Sequence, residues 1–136
     1  MNCGMPKPSG KDRPYNLHTN RELGLMLAGK KPLAVFSDGA DCFPDVVNRY
    51  LRMFNAHVAA GRMVRRDHFS PPSEHRVFTL HTVLFALPGE EWRIDAMIDL
   101  RESGTWSRDH ERREGELLGY DDWMNDYHLA QLPKCE

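Results

Sequence analysis

Between Arg76 and Leu87 the chain carries a run that alternates between two apolar sets. Val77, Thr79, His81, Val83 and Phe85 fall on one side of an extended strand, and Phe78, Leu80, Leu84 and Ala86 on the other. Because side chains in a strand point alternately to opposite faces, such a strand offers both faces to apolar cover. Contiguous groups of this size are not left in water. The chain must therefore fold as a layered structure with something against each side of its sheet.

One layer is predicted by the stretch from Pro44 to Ala60. Apolar residues recur there at Val46, Val47, Tyr50, Leu51, Phe54 and Val58, the stripe of a helix with one buried face. Pro44 suits a first helical turn, Asp45 complements the positive end of the dipole, and Gly61 suits the end. A shorter helix is expected from Thr19 and Glu22, spaced as a capping box, through Leu23, Met26 and Leu27 to Gly29. Leu33 to Phe36 reads as a short strand and Ser37 to Asp41 as a turn.

Beyond Gly61 the period becomes two. Strands are expected at Arg62–Phe69, Arg76–Leu87 and Glu91–Arg101, the last pair joined by Pro88-Gly89. In the third, Trp92, Ile94, Ala96, Ile98 and Leu100 alternate with Arg93, Asp95, Met97, Asp99 and Arg101. A two- or four-residue hairpin loop puts His81, Val83 and Phe85 on the side of the Pro44–Ala60 helix. Residues 103–113 read as an exposed loop or fraying helix. Glu114–Leu118 reads as one helical turn ended by Gly119, and Asp121 as the cap of a last helix with Trp123, Met124 and Tyr127. The expected fold is α+β: an antiparallel sheet of three to four strands on a long central helix, with an N-terminal helix and an aromatic C-terminal helix. Residues 1–17, rich in Pro, Gly and Lys, read as a flexible arm, and 18–136 as one domain.

Composition narrows the function classes. Eighteen basic residues against twenty acidic ones give a formal charge of −2, which argues against a dedicated nucleic-acid binder. No apolar run exceeds Val83–Leu87, so no membrane span is expected, and the first fourteen residues lack the apolar stretch of a signal peptide. Three widely spaced cysteines, Cys3, Cys42 and Cys135, suggest a reducing cytoplasm.

Motifs for catalysis are sparse. LAVFSDG at 33–39 lacks the two aspartates that an aspartyl-phosphate mechanism needs. His75 and His81 would be too far apart on one strand to share a metal ion. No catalytic residue, metal or cofactor is therefore assigned. A basic cluster at Arg62, Arg65 and Arg66 reads as a solvated face with local ion pairs.

Two expectations follow. The first is a non-enzymatic interaction or accessory protein, a homodimer or partner of another protein. Its interface would come from Phe78, Leu80, Leu84 and Met97 on the second sheet face and from Trp123 and Tyr127 on the last helix. The second is a ligand-binding or weakly catalytic domain. Its pocket would lie between central helix and sheet, lined by His57, Thr79, His81 and Trp92 and fit for a small apolar or aromatic ligand.

Overall fold

The computed structural model describes residues 13–133. They form an α+β fold with five helices and a three-stranded antiparallel sheet. In chain order the elements are α1 (Glu22–Leu27), β1 (Leu33–Gly39), α2 (Asp45–Ala59), β2 (Val64–Ser70), β3 (Leu80–Ala86), α3 (Trp92–Arg101), α4 (Arg108–Leu118) and α5 (Asp122–Gln131). The strand order is β1-β3-β2, so the doubly apolar strand is the central one.

Both neighbours run antiparallel to β3 over seven residues. Leu33 to Gly39 pair with Ala86 to Leu80, and Val64 to Ser70 pair with the same residues from the other side. β1 and β2 are therefore parallel to each other, and α2 is the crossover between them. Parallel strands need such a connection, which is why a helix and not a tight turn separates them.

The register gives each face a definite content. One face carries Ala34, Phe36 and Asp38 of β1, His81, Val83 and Phe85 of β3, and Arg65, Asp67 and Phe69 of β2. Against it pack Leu51 and Phe54 of α2 with Leu23 and Met26 of α1. The sequence reading put His81 and Phe85 on this side together with Trp92 and Ile94, through a hairpin at Pro88-Gly89 that is not formed, and Ile94 lies on the other side. Phe54 and Phe85 stack at 4.4 Å, with Phe36 edge-on to both. Such aromatic pairs add about 0.5–1.5 kcal/mol each to the burial of their area.

The opposite face, with Leu33, Leu84 and Ala86, is covered by Ile94 and Met97 of α3 and Leu117 of α4. All six side chains are fully buried. Full burial of three side chains the size of Ile94, Met97 and Leu117 contributes about 1.5–3 kcal/mol apiece. The second face is therefore closed over much of its length from within the chain.

That cover corrects the sequence reading, since the strand expected at Glu91–Arg101 is helix α3. Ile94, Met97 and Ile98 satisfy a spacing of three and four as well as alternation. Arg93, Ala96, Met97, Leu100 and Arg101 favour the helix by propensity, while Trp92, Ile94 and Ile98 suit either pattern. The start of the helix is fixed locally. Glu91 accepts a hydrogen bond from the Gly89 N–H at 2.8 Å, and Arg93 reaches back to Glu90 at 2.6 Å. There is thus no fourth strand at 91–101. The strand expected at Arg76–Leu87 is shorter, running from Leu80 to Ala86.

Residues 103–113, expected to be loop or fraying helix, contribute most of α4. Ser107 accepts from the His110 N–H, and the His110 ring accepts in turn from the Ser107 N–H. Histidine thus takes the place that Glu or Gln holds in the familiar capping box. α4 ends as expected at Gly119, whose φ of +94° suits glycine and whose α-carbon lies so near Pro32 that a Cβ would stand 2.5 Å from its Cδ. α5 folds back on α4, with Arg112–Asp126 at 2.7 Å and His128–Glu111 at 2.9 Å.

Polar anchors tie the helical cover to the sheet. The Lys31 ammonium is buried and donates to the Leu118 carbonyl and to His18 Nδ1, each at 2.8 Å. Arg93 of α3 donates to the carbonyls of Glu116 and Leu117. These cations satisfy orphan carbonyls at the negative end of α4.

Of the arm expected at 1–17, residues 1–12 lie outside the described residues. Within 13–17, Tyr15 packs on α5. Its ring meets Trp123 at 5.3 Å and Tyr127 at 6.0 Å, and its hydroxyl donates to the Met124 carbonyl. Cys3 and Cys135 also lie outside the described residues, whereas Cys42 is free and exposed.

Candidate functional site

The four residues expected to line one pocket do not meet. β1 ends opposite Leu80 and β2 begins opposite Ala86, so α2 runs from one end of β3 to the other. His57, in the last turn of α2, lies at the Ala86 end. His81 lies at the Leu80 end, about 17 Å away along the strand. Trp92 is on the far side of the sheet, half-exposed, with the Arg93 guanidinium 4.6 Å from its ring. Thr79 precedes β3, and its carbonyl accepts from the Ala40 N–H. The space between α2 and the sheet is filled by Phe54, Phe85, Phe36 and Val83.

His81 itself is held in a satisfied polar chain. Its Nε2 is 2.7 Å from Asp67, Asp67 takes two hydrogen bonds from Arg65 at 2.7 and 2.9 Å, and Arg65 reaches Asn55 at 2.8 Å. The Arg65 hydrogen bonds hold the Asp67 carboxyl below the usual carboxylate range, with His81 helping against the opposing effect of burial. Phe69 stacks on the His81 ring at 4.3 Å, and Phe43 meets its edge at 5.4 Å. The ring is closed in from both directions.

Across the sheet, at the same strand ends, the arrangement is open. A cleft of about 430 Å³ lies between the second face and the C-terminal end of α3. Its floor is Leu80, Thr82, Leu84, Met97 and Ile98. Polar groups converge on it. Glu102 Oε2 accepts from His68 at 2.6 Å and from the Ser70 hydroxyl at 3.1 Å. Arg101 donates to Ser37 at 3.2 Å and to Glu114 at 3.2 Å, and Ser37 donates to Thr82 at 3.0 Å. The His68 hydrogen bond, with Ser70 adding, draws the Glu102 carboxyl below its ordinary range.

A loop closes the outer end of the cleft. Arg76 secures it by donating to the carbonyls of Ser70, Pro71 and Phe78 at 3.2, 2.8 and 3.0 Å. The carboxylate oxygen of Glu102 is the shared centre of this group. Ser70 and His68 both donate to it, so the order hydroxyl–imidazole–carboxylate of a nucleophilic relay is not formed. The arrangement can receive a donor or acceptor on a small molecule while its apolar body rests on Leu80 and Ile98, the partly exposed apolar groups of the cleft.

The expected interface residues divide. Leu84 and Met97 are fully buried within the chain, beneath the cleft, which removes them from an association surface. Leu80 lies in the cleft, Tyr127 is partly buried, and Phe78 and Trp123 are half-exposed. None of His68, Ser70, Arg101 and Glu102 was assigned to a ligand site from sequence. They belong to two separate segments, β2 and the end of α3, and no spacing links the two before β2 and α3 are placed against each other.

Among the described residues, no cluster of three or more His, Cys, Asp or Glu side chains could hold a metal ion, and no helix is long and apolar enough to cross a membrane. The chain matches no protein-family model, no curated protein and no solved structure.

Proposed function

We propose that this protein is a small-molecule-binding domain whose site is the cleft between the second sheet face and α3. The observation that carries the reading is the convergence of Glu102, His68, Ser70, Thr82 and Arg101 around an apolar floor in a cleft of about 430 Å³. A concave, mostly apolar site with a few convergent polar groups is the usual form of a ligand pocket. The fitting ligand is a small aromatic or aliphatic molecule with one polar end. A hydroxyl or amine on it can donate to Glu102. The sequence pointed to a ligand of this class but to a pocket on the other side of the sheet.

The test is fluorescence titration with 2-naphthol. Saturable binding is expected, with Ser70→Trp abolishing it by filling the cleft and Glu102→Gln weakening it several-fold. His81→Ala, on the closed side, leaves it unchanged. Binding that survives Ser70→Trp, or no binding at all, contradicts the assignment.

A second reading, a self-associating interaction protein, is favoured by the flank of α2 that faces α1. Val46 and Met53 are exposed there to 63% and 55%, beside a groove of about 350 Å³ that also takes in Tyr50. Apolar side chains this open are common at association surfaces. Light scattering that finds a dimer in the parent chain and a monomer in Val46→Asp/Met53→Asp supports it. A monomer in both removes it.

A further inference from the structure

The adjoining flank of α2, which meets that groove at Arg49, has another character. Asp45, Asn48, Arg49, Arg52 and Asn55 line a groove of about 440 Å³ with Arg65 of β2. Arg65 is committed to Asp67 and Asn55, but Arg49 and Arg52 form no ion pair among the described residues. Asp45 is the one acidic residue lining the groove. Arg49 and Arg52, three residues apart, occupy one helical face. The overall charge of −2 hides this local excess of positive charge.

The groove borders a strand edge. β2 pairs with β3 alone among the strands of the sheet, so its other side presents unpaired backbone N–H and C=O groups. An exposed edge invites pairing with another chain unless its surroundings select against it. Arginines beside it repel a basic or neutral strand relative to an acidic one. We propose that the groove between α2 and the free edge of β2 receives an extended acidic peptide. The peptide adds a strand to the sheet at β2 and places its carboxylates against Arg49 and Arg52.

The alternation of donors and acceptors along the edge decides between polyanions. A polypeptide satisfies both kinds of group, whereas a phosphodiester chain offers acceptors only and would leave the β2 carbonyls without a donor. This inference does not depend on the cleft across the sheet, because the groove lies on the α2 side.

Fluorescence anisotropy of a labelled peptide of alternating Glu and Thr, about eight residues long to match a strand, provides the test. The full chain is expected to bind it, and to bind the matching Lys/Thr peptide much less. Arg49→Glu/Arg52→Glu, at exposed positions, is expected to weaken binding of the acidic peptide by about tenfold and to improve binding of the basic one. Amide signals of Arg65 and Asp67 should shift in the parent chain on addition of the acidic peptide. Tighter binding of a labelled oligothymidine than of the acidic peptide would overturn the choice of partner. Equal binding of both peptides would overturn the role of the arginines. A concentration-dependent dimer that the double variant abolishes and the acidic peptide does not disperse would assign the edge to a second copy and overturn the proposal.

Discussion

At the Leu80 end of the sheet the two faces use the same strand differently. On the α2 side the His81 ring in the row Asp38–His81–Phe69 is covered by Phe43 and Phe69 and hydrogen-bonded to Asp67, although Phe69 itself stays half-exposed. One residue further along β3, the row Ser37–Thr82–His68 faces the end of α3 and stays open as a cleft. The first face is closed by aromatic contact. The second is covered by helices anchored through buried or half-buried cations. A sheet with one tightly filled side can leave a recess on the other, because the stability that the recess forgoes is supplied across the strand.

The comparison predicts unequal costs of truncation. Phe54→Ala is expected to lose about 4 kcal/mol in urea unfolding, and Met97→Ala about 2 kcal/mol, because the cavity left by truncating the buried Met97 would open onto the adjoining cleft and admit water. Equal losses would mean that the second face is packed as tightly as the first.

The polar anchoring of the second cover predicts a pH signature. Burial lowers the Lys31 pKa from 10.5 to about 8, partly offset by Glu22. Between those values the unfolded chain holds a proton that the folded chain has released, so stability rises with pH. The gain between pH 8 and pH 10 is expected to reach about 2 kcal/mol, and Lys31→Met should flatten it. Above pH 10 the burial-raised Tyr50 and Tyr120 oppose this trend, since their folded forms keep the proton longer. His18, lowered to about 4 mainly by burial, with Lys31 adding, gives a separate rise between pH 4 and 6.5. Melting curves across both windows check the two signs.

A smaller effect is expected at the junction that seats α4. Gly119→Ala would combine a left-handed backbone with a Cβ 2.5 Å from Pro32 Cδ, costing about 1–2 kcal/mol. An unchanged urea midpoint would show that Pro32 can yield and that this contact does not fix the cover of the second face.

Much of the layering was legible in the residues. The two apolar sets of β3 identified a strand covered on both sides, and the stripe from Val46 to Val58 identified the helix that covers one of them. The second cover was misread because Trp92–Arg101 fits a period of two nearly as well as one of 3.6, and only propensity and the contacts of Glu90 and Glu91 separate the patterns. α4 was under-read because His110 performs a capping role usually carried by Glu. The cleft was not legible, since His68, Thr82 and Glu102 become neighbours only when α3 is a helix lying across the sheet. With 91–101 as a strand, attention fell on His81, which faces the filled side.

The most direct test of the account follows the methionine methyl signals during titration with 2-naphthol. Met97, Met26 and Met63 are all buried, but Met97 lies directly beneath the cleft on the second face, whereas Met26 and Met63 lie in the core on the α2 side. The Met97 methyl should shift in proportion to occupancy while those of Met26 and Met63 stay in place. Movement of Met26 or Met63 with Met97 unmoved would put the ligand between α2 and the sheet and contradict the assignment of the second face.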